Sequence, residues 1–202
     1  MKLGKLITAL VCVALVAVIW LWWRAGRLTA EEQGAWDRFI AKHMANRDRA
    51  SEDDINAVAE IGDKIIPYVE RYFGRAAPYP VMKSDVSLVI VLGRIGTPRA
   101  VEAILKVVRH DYPGRIGNDR EIAADALVWL GATEGIPVLE AAIEDHCRRV
   151  EEALAAETGP MAAMRRVDYD IEIEQMERHL ADLKAGRGIR DTKKQFPYDI
   201  PR

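Results

Sequence analysis

Three stretches of this 202-residue chain repeat one pattern: an aliphatic residue, a glycine, then a helical run with apolar positions on one side. They read Ile61-Gly62 before DKIIPYVERYF, Ile95-Gly96 before TPRAVEAILKVV, and Leu130-Gly131 before ATEGIPVLEAAI. The glycines Gly62, Gly96 and Gly131 stand 34 and 35 residues apart. A period of that size is the mark of stacked supersecondary units. Each glycine has an apolar-periodic helix on either side, so each unit reads as helix, tight turn, helix. Glycine suits the corner because it enters the left-handed region that ends a helix without a side-chain clash. Pro67, Pro98 and Pro137 fall in the first turn of the following helix, where a missing N–H costs nothing.

No helix of a unit is apolar enough to be buried alone. Within 97–110 the apolar positions are Val101, Ile104, Leu105 and Val108, with Arg99, Glu102, Lys106 and Arg109 opposite. Within 119–130 they are Ile122, Ala126, Leu127 and Leu130, with Asn118 or Asp119 as the cap. Stacking joins the stripes into one core, which predicts an all-α fold and a short α-solenoid. The run Val86 to Leu92 is rich in β-branched residues and reads as a strand by composition. The repeat register assigns it to a helix.

On these residues the chain resembles HEAT repeats, in particular the short HEAT-like repeats of the phycobilisome-lyase type. The matching stretches are SDVSLVIVLGRIGTPRAVEAILKVV (84–108) and DREIAADALVWLGATEGIPVLEAAI (119–143), with 51–73 as a degenerate third copy. The resemblance implies an interaction scaffold, and some members of the family are enzymes. Members with a di-iron centre hold it by His-Glu pairs at the start of the first helix of a repeat. The matching position here is Arg120-Glu121, and a guanidinium cannot ligate iron. Bilin lyases of the family attach a chromophore to an acceptor protein, and that activity stands as the alternative.

The flanks are of other kinds. Residues 6–23 contain 18 positions of which only Thr8 lies outside the hydrophobic set, long enough at about 1.5 Å per residue to cross a bilayer. The run ends in Trp20-Leu21-Trp22-Trp23-Arg24, with Arg27 beyond, so Trp20, Trp22, Trp23, Arg24 and Arg27 are the expected anchors at the membrane boundary. Segment 1–28 therefore reads as a signal-anchor of bacterial inner-membrane type, cleavage after Ala25 or Ala30 being the rival reading. Lys2 and Lys5 balance Arg24 and Arg27, so the positive-inside comparison ties. The short basic start favours a body outside the cytoplasm.

The body opens with Thr29-Ala30-Glu31-Glu32, a capping box, followed by Trp36, Phe39, Ile40 and Met44 at helical spacing. Ser51 caps a helix carrying Ile55, Val58 and Ile61. Repeat units are expected at 51–73, 84–110 and 119–143 within a solenoid spanning 29–143. After the third glycine the apolar period runs on through Ile136, Leu139, Ile143, Cys147, Val150 and Leu154. Thr158-Gly159-Pro160 interrupts it, and Met161, Met164, Val167, Ile171, Met176, Leu180 and Leu183 mark a second long helix. Residues 136–184 should thus form an antiparallel hairpin, either closing the open end of the solenoid or serving as a homodimer arm. The segment 185–202 has no helical face and is expected to be disordered. Within it Gln195-Phe196-Pro197-Tyr198-Asp199-Ile200-Pro201 sets two aromatics on an extended stretch able to dock a partner.

Charge refines this layout. The chain has 29 Lys+Arg and 31 Asp+Glu, a net of −2. Residues 1–28 carry four bases and no acid, residues 184–202 six bases and two acids, and the middle 19 bases against 29 acids. An acidic body excludes the broad basic surface that non-specific nucleic-acid binding needs.

No metalloprotease, phosphate-loop, paired-cysteine or nucleophile-elbow motif occurs, so no cofactor, metal or catalytic residue is expected. His146 and Cys147 are neighbours that point about 100° apart on a helix and do not form a base–thiol pair. Cys147 continues the apolar stripe and is expected in the core, whereas His43 and His179 are expected at the surface or its boundary. What remains is a surface on the second helices of the units. Arg99, Lys106 and Arg109 form a basic strip and Glu140, Glu144 and Asp145 an acidic one. Glu102 and Lys106 are placed as an i,i+4 pair. The expectation is a non-catalytic, membrane-anchored scaffold for a protein partner.

Overall fold

The structure is a computed structural model and describes residues 26–44, 50–73, 82–109, 111–112, 119–156 and 160–186. The expected anchor, including Trp20, Trp22, Trp23 and Arg24, and the tail 187–202 lie outside the described residues, as does Asn118. Arg27 is exposed, two residues before the first helix cap. Among the described residues no helix is long and apolar enough to cross a membrane.

Every described regular element is helical. α1 (Ala30–Phe39) continues into a π-helical turn, Ile40–Met44. Then come α2 (Glu52–Ala59), α3 (Ile66–Phe73), α4 (Met82–Ile95), α5 (Pro98–Arg109), α6 (Asp119–Leu130), α7 (Ile136–Ala156) and α8 (Pro160–Lys184). The run Val86 to Leu92 lies inside α4 and is wholly buried, so its β-branched residues fill the core from a helix.

Local chemistry sets the boundaries. Thr29 and Glu32 form the capping box, Thr29 Oγ1 accepting the Glu32 N–H at 3.2 Å and Glu32 Oε2 the Thr29 N–H at 2.6 Å. Ser51 Oγ accepts the Asp54 N–H at the head of α2. Gly62, Gly96 and Gly131 have φ of 67°, 61° and 64°, the left-handed corner that the repeat spacing demands.

These corners differ in what surrounds them. A Cβ on Gly96 would sit 3.1 Å from Leu130 Cδ2, whereas one on Gly62 would meet nothing within 4 Å. We therefore expect Gly96→Ala to lower the unfolding free energy by about 2 kcal/mol and Gly62→Ala by about 1, from left-handed strain alone in the second case. Thermal unfolding followed by circular dichroism checks this. Equal losses would show that the Leu130 contact is irrelevant.

Packing forms two layers. α1, α2, α4 and α6 lie side by side in the first, and α3, α5 and α7 stack in the second. One continuous core runs through both, with Phe39, Ile66, Phe73, Leu88, Ile104, Leu127 and Leu139 buried. Hence no unit has a core of its own. α8 packs along both α6 and α7, burying Met176 and Leu183. Ile171 departs from the expected stripe and is 47% exposed. It stands five residues before Met176, a rotation of about 140° that carries it off the buried face.

Candidate functional site

Polar bridges tie the units together at three levels. Between the first two units, Arg94 reaches back from α4 to Asn56 and Glu52 on α2, its side chain only 9% exposed. On the second layer Lys106 Nζ donates to Glu70 Oε1 at 2.6 Å, linking α5 to α3. At the turns, the Thr97 hydroxyl donates to the Asp63 carboxylate. Glu70 also accepts from Tyr112, whose phenol is pushed far up by burial and then by the Glu70 charge.

The predicted surface is accordingly rearranged. Lys106 does not pair with Glu102. It turns to Glu70 on the preceding unit, and Glu102 pairs with Arg109 at 3.0 Å across two helical turns. Glu140 accepts from Lys184 Nζ at 2.6 Å, fastening the end of α8 to the N-terminal part of α7. Asp145 leaves the acidic strip altogether and points into the joint between α6 and α7. Arg99 and Glu144 stay exposed, without an ion pair among the described residues.

That joint is the densest titratable cluster described, and α6, α7 and α8 all contribute to it. Asp145 Oδ2 accepts from Arg120 Nη2 at 3.1 Å and from Arg149 Nε at 2.9 Å, while Oδ1 accepts from Arg148 Nη2 at 2.7 Å. Burial pushes the Asp145 carboxyl up, and the three guanidiniums more than reverse it, holding it at about 2. Arg120 is the buried partner, its side chain 8% exposed. The Arg120 guanidinium is thus committed to a structural pair.

Beside it, Glu121 faces α8. With the Gln175 amide oriented nitrogen-first, it donates to Glu121 Oε2 at 2.7 Å. Burial raises the Glu121 carboxyl, and the charges of Glu172 and Asp125 raise it further. His146 Nε2 lies 3.4 Å from Glu172 Oε2, and His179 Nδ1 lies 3.8 Å from Asp125 Oδ1. Burial lowers both imidazoles, with Arg120 opposing protonation of His146 as well. His179 sits at the boundary of the surface, as expected, with 18% of its side chain exposed. Cys147 is half-buried rather than core, its thiol pushed up by desolvation and by Glu177 and Glu151. The His43 side chain lies outside what the structure describes. Among the described residues no group of three or more His, Cys, Asp or Glu could hold a metal ion.

Residues 86–110 and 119–145, the α4–α5 and α6–α7 pairs, match the PBS lyase HEAT-like repeat family. The chain carries HEAT-like repeats. No curated protein and no solved structure gives a significant match to it. The two HEAT-like units hold most of the bridges above, and the helix pair that precedes them, α2 with α3, supplies Glu52, Asn56 and Glu70 as their partners.

Residues missed from sequence are those that join units: Arg94, Glu70 and Arg120 with Asp145. Their one sequence signal is a charge inside an apolar helix face. Arg94 lies between Gly93 and Ile95, and Arg120 opens a helix whose next residues are buried.

Proposed function

We propose that the protein is a membrane-anchored HEAT-like scaffold that presents its second-helix layer to a protein partner. The observation that carries this reading is the outer face of α5 and α7. Arg99, Glu102, Arg109, Glu140 and Glu144 are exposed on it across two adjacent units, with charges of both signs carried on packed helices. Interspersed charge of this kind favours a specific complementary protein surface over a polyanion. The apolar run 6–23 supports attachment to a bilayer.

Crosslinking in native membranes, followed by identification of what is captured, tests the reading. A reproducible partner is expected, and Arg99→Glu with Glu144→Lys should cut its yield by about tenfold, the effect of roughly 1.4 kcal/mol at two exposed charges. A face that captures nothing reproducibly, or a partner indifferent to the double change, argues against it.

A further inference from the structure

α8 closes the stack through polar contacts as well as apolar ones. Met176 and Leu183 are buried against α6 and α7, and titratable groups of all three helices meet around them. α6 brings Arg120, Glu121 and Asp125, α7 brings Asp145, His146 and Arg149, and α8 brings Glu172, Arg178, His179 and Asp182. Two of these groups are imidazoles. His146 reaches from α7 toward α8, and His179 from α8 toward α6, with only 15% and 18% of their side chains in water. A neutral imidazole fits such a place at little cost, whereas a charged one gives up most of its hydration.

The neighbours do not make up that loss. His146 Nε2 stands 3.4 Å from Glu172 Oε2, longer than a charge-assisted hydrogen bond, and the Arg120 and Arg149 guanidiniums oppose a further cation. Asp145 attracts one, but its two oxygens already take three arginines. His179 Nδ1 stands 3.8 Å from Asp125 Oδ1, beyond hydrogen-bond reach, with Asp182 adding attraction and Arg178 opposing it. Burial therefore prevails at both, and holds both imidazoles below their ordinary 6.5. Glu121 works the other way, its carboxyl raised from 4.5 by burial and then by Glu172 and Asp125. Two imidazoles act against this one carboxyl. Asp145, held at about 2, stays ionised across the range in which they titrate.

We infer that the seat of α8 on α6 and α7 is an acid-opened joint, in which protons taken up by His146 and His179 release α8 while the repeats stay folded. An undocked imidazole binds its proton from about pH 6.5 downward and a docked one only at lower pH, so docking weakens as the pH falls through that interval. At one pH unit below 6.5 the opening equilibrium shifts by at most about tenfold for each imidazole. The repeats are spared because α2, α3, α4, α5 and α6 contain no histidine. Release uncovers the apolar side of α6 and α7 that Met176 and Leu183 close.

The test is amide hydrogen exchange of the full chain at pH 7.5 and pH 5.5, each rate divided by the intrinsic rate at that pH and read peptide by peptide. Protection within 170–184 is expected to fall by about fivefold or more at the lower pH, while that within 86–108 holds to within about twofold. His146→Gln together with His179→Gln should abolish the fall, since glutamine keeps a polar side chain there without a titrating proton. Circular dichroism shows whether that chain folds as wild type does. Each single variant should keep part of the fall, so the outcome does not hang on the double variant alone. Protection in 170–184 that stays level or rises, an equal fall in 86–108, or a folded double variant that keeps the whole fall would each overturn the joint.

Discussion

Truncating Leu127 to alanine is expected to lower the unfolding free energy by about 3–4 kcal/mol and the melting temperature by roughly 10 °C. Leu127 is fully buried on α6 and sits where units meet. Its Cδ1 fills the space that a Cβ on Gly135 would need, at 2.8 Å, and Leu105 of the preceding unit borders the same spot at 3.6 Å. Removing three side-chain carbons there opens a void bounded by α5, α6 and the 3₁₀ turn Thr133–Gly135, whose backbone cannot all move inward. Since one core runs through both layers, the loss should appear in a single unfolding transition, measured by urea titration with circular dichroism. Two separate transitions, with the N-terminal one unshifted, would show that the units fold independently.

Neutralising Asp145 is expected to cost about 2–3 kcal/mol. Asp145→Asn leaves the Arg120 guanidinium buried without its carboxylate, a loss of roughly 3–5 kcal/mol in a dry interior. Asp145 keeps 22% of its side chain in water, and that screening trims the figure. A second change distinguishes a lost attraction from a stranded charge. Arg120→Met together with Asp145→Asn should recover much of the stability, because no buried charge then remains unpaired. A double variant as unstable as the single would contradict this account.

The same pair sets an acid limb. With its carboxyl held at about 2, below the ordinary aspartate value near 3.9, Asp145 stabilises the fold fully above pH 4 or so. That contribution is lost as the pH falls through about 2, where the folded state must also take up the proton. The difference between wild type and Asp145→Asn should therefore shrink by about 2 kcal/mol between pH 5 and pH 2. A difference independent of pH would mean that the three arginines do not hold the carboxylate ionised.

How far these features were legible in the sequence depends on the range over which each is determined. The corners at Gly62, Gly96 and Gly131 and the capping box at Thr29 are settled within a few residues, and the backbone adopts each of them. Periodicity placed Val101, Ile104, Leu105 and Val108 in the core because the moment of α5 is strong and its neighbours cover one side. It failed for Ile171, whose helix has almost no apolar bias and whose rotation is decided by α6 and α7.

Charge pairing was less legible still. Glu102 and Lys106 satisfy a rule for isolated helices, yet Lys106 finds Glu70, 36 positions earlier, because stacking brings that carboxylate closer. Asp145 looked like surface charge until the approach of α6 set Arg120 against it. Such partners follow from the rotation and spacing of helices, which single-helix patterns do not encode.

The lengthwise contact of α8 with both α6 and α7 gives the array a direction. Among the described residues α8 covers the side of α6 and α7 on which a further helix pair would stack, so a unit added by duplication after the last repeat would have to displace it. A duplicated unit of about 34 residues that leaves α8 in place would have to be inserted upstream, between pairs that already fit one another. Lineages built on this plan should then vary in the number of middle units while keeping the closing hairpin single, and the reach of the charged outer face would lengthen in steps of one unit.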